Sequence, residues 1–289
     1  MTPSDGAGPT PGRAAVPWSR FVALGDSLTE GLWDIDPAAP DRPRGWADLL
    51  AERLAERRAP HQAAQAPFEY ANLAVRGRLL GEIVEEQVPA AIALGPDLVS
   101  LIGGGNDLLR PGRDPDALAA RLEGAVERLR ATGADVLLAT GMDPSDSPVL
   151  RATRPRVATF NAHVWSIARR HGAHVLDVWG MRSLRDWRMW AQDRIHLTTA
   201  GHERVTQAAL VALGLGADDD AWDDPLAALP PVARAERLRG DLVWARQYAY
   251  PWMGRRLRRR SSGDARRPKR PALAPVRPGW VTVAGEGDA

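Results

Sequence analysis

Short apolar runs alternate along the chain with longer stretches in which apolar residues recur every three or four positions. The runs at 21–24 (FVAL), 98–102 (LVSLI), 135–140 (DVLLAT) and 173–178 (AHVLDV) are bounded by Gly, Pro or Asp and lack polar alternation, which predicts strands buried on both faces. Residues 68–74 (FEYANLA) predict one more strand. The helical period falls at 45–58, 78–94, 115–131, 154–171 and 198–213. In the third of these, Asp114 is placed to cap the helix, Pro115 fits its first turn, and Leu118, Leu122, Ala125, Val126 and Leu129 share one face. Strand and helix in alternation predict an α/β fold, a three-layer α/β/α sandwich with a mostly parallel central sheet.

After about residue 214 the pattern changes. An acidic connection (GADDDAWDDP) leads to an amphipathic helix predicted around 230–248, and then to a basic segment rich in Pro, Ser and Gly. The expected organisation is a disordered N-terminal segment (1–19), a catalytic-sized domain (20–216), a helical C-terminal extension (217–253) and a basic tail (254–289). The tail is expected to be disordered, because so few apolar residues cannot offset the entropy of ordering it. No internal repeat of fixed period is present.

Composition narrows the chemistry. A chain of 289 residues, 44% hydrophobic, can build one substantial core, and a net charge of +2 does not mark the whole molecule as a polyanion binder. With no cysteine there is no disulfide, no thiolate metal site and no cysteine nucleophile. The first twenty residues lack the apolar core of a secretory signal, and no apolar run reaches about 18 residues, so a cytoplasmic location is expected. Arginines dominate the tail from Arg255 to Arg277. They suit weak contact with anionic membrane or nucleic acid, although a solvated tail is the plainer reading. No obligate protein partner is evident.

Four stretches carry candidate chemistry. In RFVALGDSLTEG a strand runs out at Ser27, where ligands bind in parallel α/β sheets; Ser27, with Glu30 three residues on, also fits a helix-capping box. In AQDRIHLTTAGH, Asp193 and His196 lie three apart before a helix, close enough for a carboxylate to orient an imidazole that activates a serine; a capped turn with a surface histidine is the alternative, and a metal site lacks a convincing third ligand. In SLIGGGNDLL, glycines allow close backbone approach and Asn106 supplies neutral donors, although a simple glycine turn fits too. In YANLAVRGRLL, Gly77 stands at the start of a helix, a weak cue by itself.

Taken together, in this order and spacing, GDSLT, NLAVRG, GGGND and DRIHLTTAGH resemble the conserved blocks of the SGNH hydrolase superfamily, the GDSL-type esterase and lipase family, from about Arg20 to about Leu213. The resemblance implies a flavodoxin-like sheet and a serine esterase with Ser27, His196 and Asp193 as triad. It also implies an oxyanion hole made of the Ser27 N–H, the Gly77 N–H and the Asn106 side chain, with no metal or organic cofactor. The implied substrate is a small acyl ester, whether lipid, acylated sugar or simple ester. An acyltransferase using the same triad is the alternative, because both reactions share the acyl-enzyme.

Asp26 and Asp107, next to motif residues, are expected to hydrogen-bond or cap rather than react. His202 is expected to pack within its helix. Trp33, Trp46, Trp187 and Trp190 flank the motifs and are equally suited to a substrate pocket or to the core.

Overall fold

The computed structural model describes residues 15–35, 43–58, 66–147, 150–230, 233–251, 254 and 261–276. Among these, the strands are β1 (Arg20–Gly25), β2 (Glu69–Asn72), β3 (Leu98–Ile102), β4 (Asp135–Ala139), β5 (His174–Leu176) and β6 (Arg270–Pro275). The α-helices are α1 (Ser27–Glu30), α2 (Trp46–Arg58), α3 (Leu80–Glu82), α4 (Val88–Leu94), α5 (Gly105–Leu108), α6 (Pro115–Arg130), α7 (Arg154–His171), α8 (Thr199–Ala212) and α9 (Arg234–Trp244). No helix among the described residues is long and apolar enough to cross a membrane.

The sheet order is β5-β4-β3-β1-β2-β6, with every pairing parallel except that of β6 on β2. The chain reverses its direction of sheet growth on either side of β1, so the loops after β1 and β3 diverge at their carboxyl ends and leave a crevice. Val22 and Leu24 point into one apolar layer with the α6 and α7 residues Leu122, Val126, Val164 and Ile167. Phe21 and Ala23 point into the other, against Trp46, Leu50 and Leu54 of α2 and Val205 and Ala209 of α8. That alternation within an uninterrupted apolar run is what a strand covered on both faces requires.

Asp114 caps α6 as its spacing predicts, accepting from the Asp116 and Ala117 N–H groups. The predicted helix at 78–94 forms as α3 and α4 separated by one π-turn, Ile83–Gln87. This bulge carries the buried Gln87, whose side chain donates to Gly25 O at 2.9 Å and accepts from Gly25 N at 2.8 Å. An extra residue per turn in a helix commonly marks a functional region, and here it fastens the backbone two residues before Ser27.

The tail departs from expectation. Residues 261–276 are ordered, and β6 extends the sheet antiparallel to β2. An edge strand tolerates Pro271 and Pro275, whose missing N–H groups would break a central strand. The N-terminal expectation is also corrected, because Val16 and Trp18 are buried in the core; residues 1–14, 255–260 and 277–289, where disorder was expected too, lie outside the described residues.

Candidate active site

Ser27 begins the four-residue helix α1 at the carboxyl end of β1. The cap of that helix is Asp26, which accepts from Leu28 N at 3.2 Å, so the Ser27 hydroxyl is not consumed in capping. It lies 2.9 Å from His196 Nε2. On the other side of the ring, Nδ1 is 2.5 Å from Asp193 Oδ2. The second Asp193 oxygen accepts from the backbone N–H groups of Ile195 and His196, both at 3.0 Å. Burial pushes the Asp193 carboxyl up, but its hydrogen bond to and charge attraction for His196, with the two backbone donors, hold it below the ordinary value. The sequence-predicted serine, histidine and aspartate thus form one hydrogen-bonded row.

Asn106 sits in α5, after the glycines that end β3. Its side-chain amide donates to Asp26 Oδ2 at 3.0 Å and to Arg78 O at 3.2 Å. Gly77 adopts the left-handed φ of +76°, and a Cβ there would overlap Ser261 Oγ, so this position accepts only glycine. The loops carrying Ser27 and Gly77 are tied by Glu30 and Arg76, whose buried carboxylate and guanidinium pair while Arg76 N donates to Glu30 Oε2 at 2.6 Å. Asn72 adds a second tie by donating to Thr29 O at 2.9 Å.

A cavity of about 230 Å³ is lined by Ser27, Asn106 and His196 together with apolar side chains that include Leu108, Leu109, Met142, Phe160 and Leu184. Trp187 and Trp190 belong to this lining, whereas Trp46 is fully buried in the core and Trp33 meets Tyr248 edge-on. The aromatic signal therefore divides: two tryptophans face the cavity and two do not.

The match to a family model decides what this arrangement is. Residues 23–204 fit the model of the GDSL-like lipase/acylhydrolase family. The chain belongs to that family. Among solved structures it is similar to LAE5, described as an α/β-hydrolase enzyme from the metagenome of Lake Arreo, Spain, with 25% identity, a TM-score of 0.54, and 68% of this chain and 95% of that chain covered. It is similar also to TesA, with 25% identity, a TM-score of 0.52, and 67% and 97% covered. A likeness in fold extends to Axe2, an acetylxylan esterase from Geobacillus stearothermophilus, at 19% identity and a TM-score of 0.54, with 68% and 94% covered. No curated protein matches the chain. Membership of the GDSL family makes the chain a hydrolase of the esterase and acylhydrolase type.

Within this GDSL site, Asp107 caps α3 by accepting from Leu80 N at 2.9 Å. His202 is fully buried, its Nδ1 accepting from Trp46 N at 3.2 Å, and burial pulls its imidazole down to about 4. Asp26 does more than cap, because it is also the acceptor that holds Asn106. Burial pushes its carboxyl up to about 6, against the opposing hydrogen bond of Leu28, the charge of His196 and the amide of Asn106. Sequence reading missed Gln87 under Gly25, and Trp244 and Lys269 after the matched blocks; it also passed over Arg194, which lies inside the histidine block but carries no catalytic group. Lys269 had one signal, as the only lysine in the chain.

The burial of Asp26 has a measurable cost. Its folded value lies above its unfolded value of 3.8, so the penalty is present above pH about 6, fades as the pH falls toward about 4, and is absent below. The gap amounts to roughly 3 kcal/mol at pH 8. Asp26→Asn is expected to raise thermal stability at pH 8 by up to that amount, with the gain vanishing near pH 4. Calorimetric melting of both proteins across this range checks it; a gain that grows toward acid pH would contradict the assignment.

Proposed function

We propose that this GDSL-family chain is a serine esterase that cleaves carboxylic esters of apolar acyl groups through an acyl-enzyme on Ser27. The observation carrying the proposal is the row Ser27–His196–Asp193 meeting an apolar cavity at the serine. His196 Nε2 takes the hydroxyl proton as Ser27 Oγ attacks the ester carbon, and returns it to the alkoxide of the leaving alcohol. Asp193 keeps the proton on Nδ1 and stabilises the imidazolium. Water, activated by the same nitrogen, then attacks the acyl-enzyme and frees the acid and Ser27.

Negative charge developing on the carbonyl oxygen is assigned to the N–H groups of Ser27 and Gly77 and to the Asn106 amide. Asn106 already spends its donors on Asp26 and Arg78. The oxyanion therefore takes over the longer bond, the one to Arg78 O, while the Asp26 carboxylate keeps the amide oriented. Stronger donation to the charged transition state than to the neutral ester is what accelerates the chemical step.

The cavity sets the acyl preference. A cavity of about 230 Å³ with these apolar walls has room for an acyl chain of several carbons. Each methylene buried against Leu108, Met142 or Phe160 contributes up to about 0.8 kcal/mol, near fourfold in kcat/KM. With p-nitrophenyl esters from acetate to palmitate, kcat/KM is expected to rise to a medium chain, about six to eight carbons, and then fall. A profile that peaks at acetate would assign the cavity to the alcohol instead. Loss of hydrolysis in Ser27→Ala at every chain length is the accompanying test of the mechanism.

A further inference from the structure

The family match ends at residue 204, yet the chain continues through α9 and β6 and returns to the site. The indole Nε1 of Trp244, the last residue of α9, donates to Asp193 O at 3.0 Å. Asp241, one turn earlier, pairs with Arg194 at 2.7 Å. The Arg194 guanidinium lies over two rings, 5.0 Å from Trp244 and 5.8 Å from Trp187. Tyr248 donates to the Gln192 side chain at 2.8 Å. The extension thus grips three successive residues, Gln192, Asp193 and Arg194, of the turn that ends in His196.

That turn needs holding. Arg194 has φ of +57°, a left-handed conformation uncommon for a residue with a Cβ. The reversal at Arg194 lets the Asp193 carboxylate fold back to the Ile195 and His196 N–H groups and to Nδ1. Conformations of this kind are strained and persist where surroundings over-determine them. Here the indole bond, the ion pair and the two cation–ring contacts supply the constraint.

A second grip acts on the nucleophile. Lys269, partly buried just before β6, donates to Glu30 O at 2.6 Å, Pro43 O at 2.9 Å and Arg44 O at 2.5 Å, and pairs with Asp48. Glu30 is the last residue of α1, the helix that Ser27 begins. Ser261 donates to Arg76 O at 3.3 Å and fills the space beside Gly77. One segment therefore touches the loops of the serine, the second glycine block and, through α9, the histidine turn.

We infer that the C-terminal extension is a positioning element of this active site, with Trp244 and Lys269 as its positioning residues: Trp244 holds the Asp193–His196 turn and Lys269 holds the nucleophile helix. The inference rests on the triad reading of Ser27, His196 and Asp193. It makes the segment after residue 216 a determinant of the turnover rate, although it supplies no group to the reacting atoms.

Trp244→Phe keeps an aromatic ring near Arg194 and removes the indole N–H together with the five-membered ring that carries it. The expected result with a p-nitrophenyl ester is a fall in kcat of about tenfold, KM within twofold, and an acidic limb of the kcat profile displaced to lower pH as the imidazolium loses its carboxylate. Leu242→Ala, on the exposed face of the same helix, is expected to leave all three unchanged. The paired change Lys269→Met with Asp48→Asn removes the second grip and its buried carboxylate together, leaving Arg270, the other cation beside Asp48, partly exposed to water, and is expected to lower kcat with little change in KM. Assays run well below each variant's melting temperature keep unfolding out of the comparison. Wild-type kcat and pH profile in both the Trp244 variant and the paired variant would overturn the inference, as would a loss of rate in Trp244→Phe with no displacement of the profile. If Ser27→Ala itself retained activity, the triad reading would fail first; a dead Ser27→Ala beside wild-type-like extension variants would remove only the present inference.

Discussion

Ser27→Ala is expected to lower kcat for p-nitrophenyl ester hydrolysis by at least about 10⁴-fold while leaving the melting temperature within a few degrees. The size follows from the nature of the step: without Oγ no acyl-enzyme forms, and only direct attack by water, aided by the remaining donors, is left. The small effect on stability follows from the hydroxyl's surroundings. Asp26, not Ser27, caps α1, and among the described residues the hydrogen bond of Oγ is to His196. Its removal therefore leaves no buried N–H group without a partner. A large fall in stability would mean that Ser27 is a structural cap after all, and turnover close to wild type would place the nucleophile elsewhere.

Asn106→Ala is expected to lower kcat by about 10²- to 10³-fold, the usual cost of one oxyanion donor. Two effects combine here. The transition state loses a donor, and Asp26 loses the amide that partly offsets its burial. The second effect acts with or without substrate. It is expected to push the Asp26 carboxyl further up and to appear as lost stability at pH 8 that recovers toward pH 5. Steady-state kinetics beside melting curves at both pH values separate the two. An Asn106→Ala enzyme with full kcat would remove the side chain from the oxyanion hole and leave it as a brace for Asp26.

The elements that follow from an uninterrupted apolar run or a strong helical period are the ones the sequence made legible. β3 is LVSLI, fully buried, and forms where its pattern places it. α6 begins at Pro115 behind the Asp114 cap for reasons visible in a few residues. The family motifs brought Ser27, His196, Asp193, Asn106 and Gly77 into view because each carries a functional group or a glycine at the end of a strand or the start of a helix.

What was not legible depends on partners far along the chain. RPALAP contains two prolines and sits in an arginine-rich segment, so nothing local marks it as a strand; it forms because β2 presents an open edge and because Lys269 finds Asp48 and three carbonyls. Trp244 reads as an apolar position of an amphipathic helix, and its bond to Asp193 spans 51 residues. The role of Asp26 in holding Asn106 likewise joins two motifs 80 residues apart. Local composition measured how little apolar surface the tail could bury by itself and missed the docking surface the domain offers it.

The most direct test of the account is covalent trapping. A fluorophosphonate, whose phosphorus accepts an activated serine as an ester carbonyl would, is incubated with the full chain, and the protein is digested and read by mass spectrometry. The account predicts one adduct per chain on the tryptic peptide that follows Arg20, at Ser27, with labelling abolished in Ser27→Ala and slowed at least about a hundredfold in His196→Ala. An adduct on another serine, or labelling of Ser27 at the same rate without His196, would contradict it.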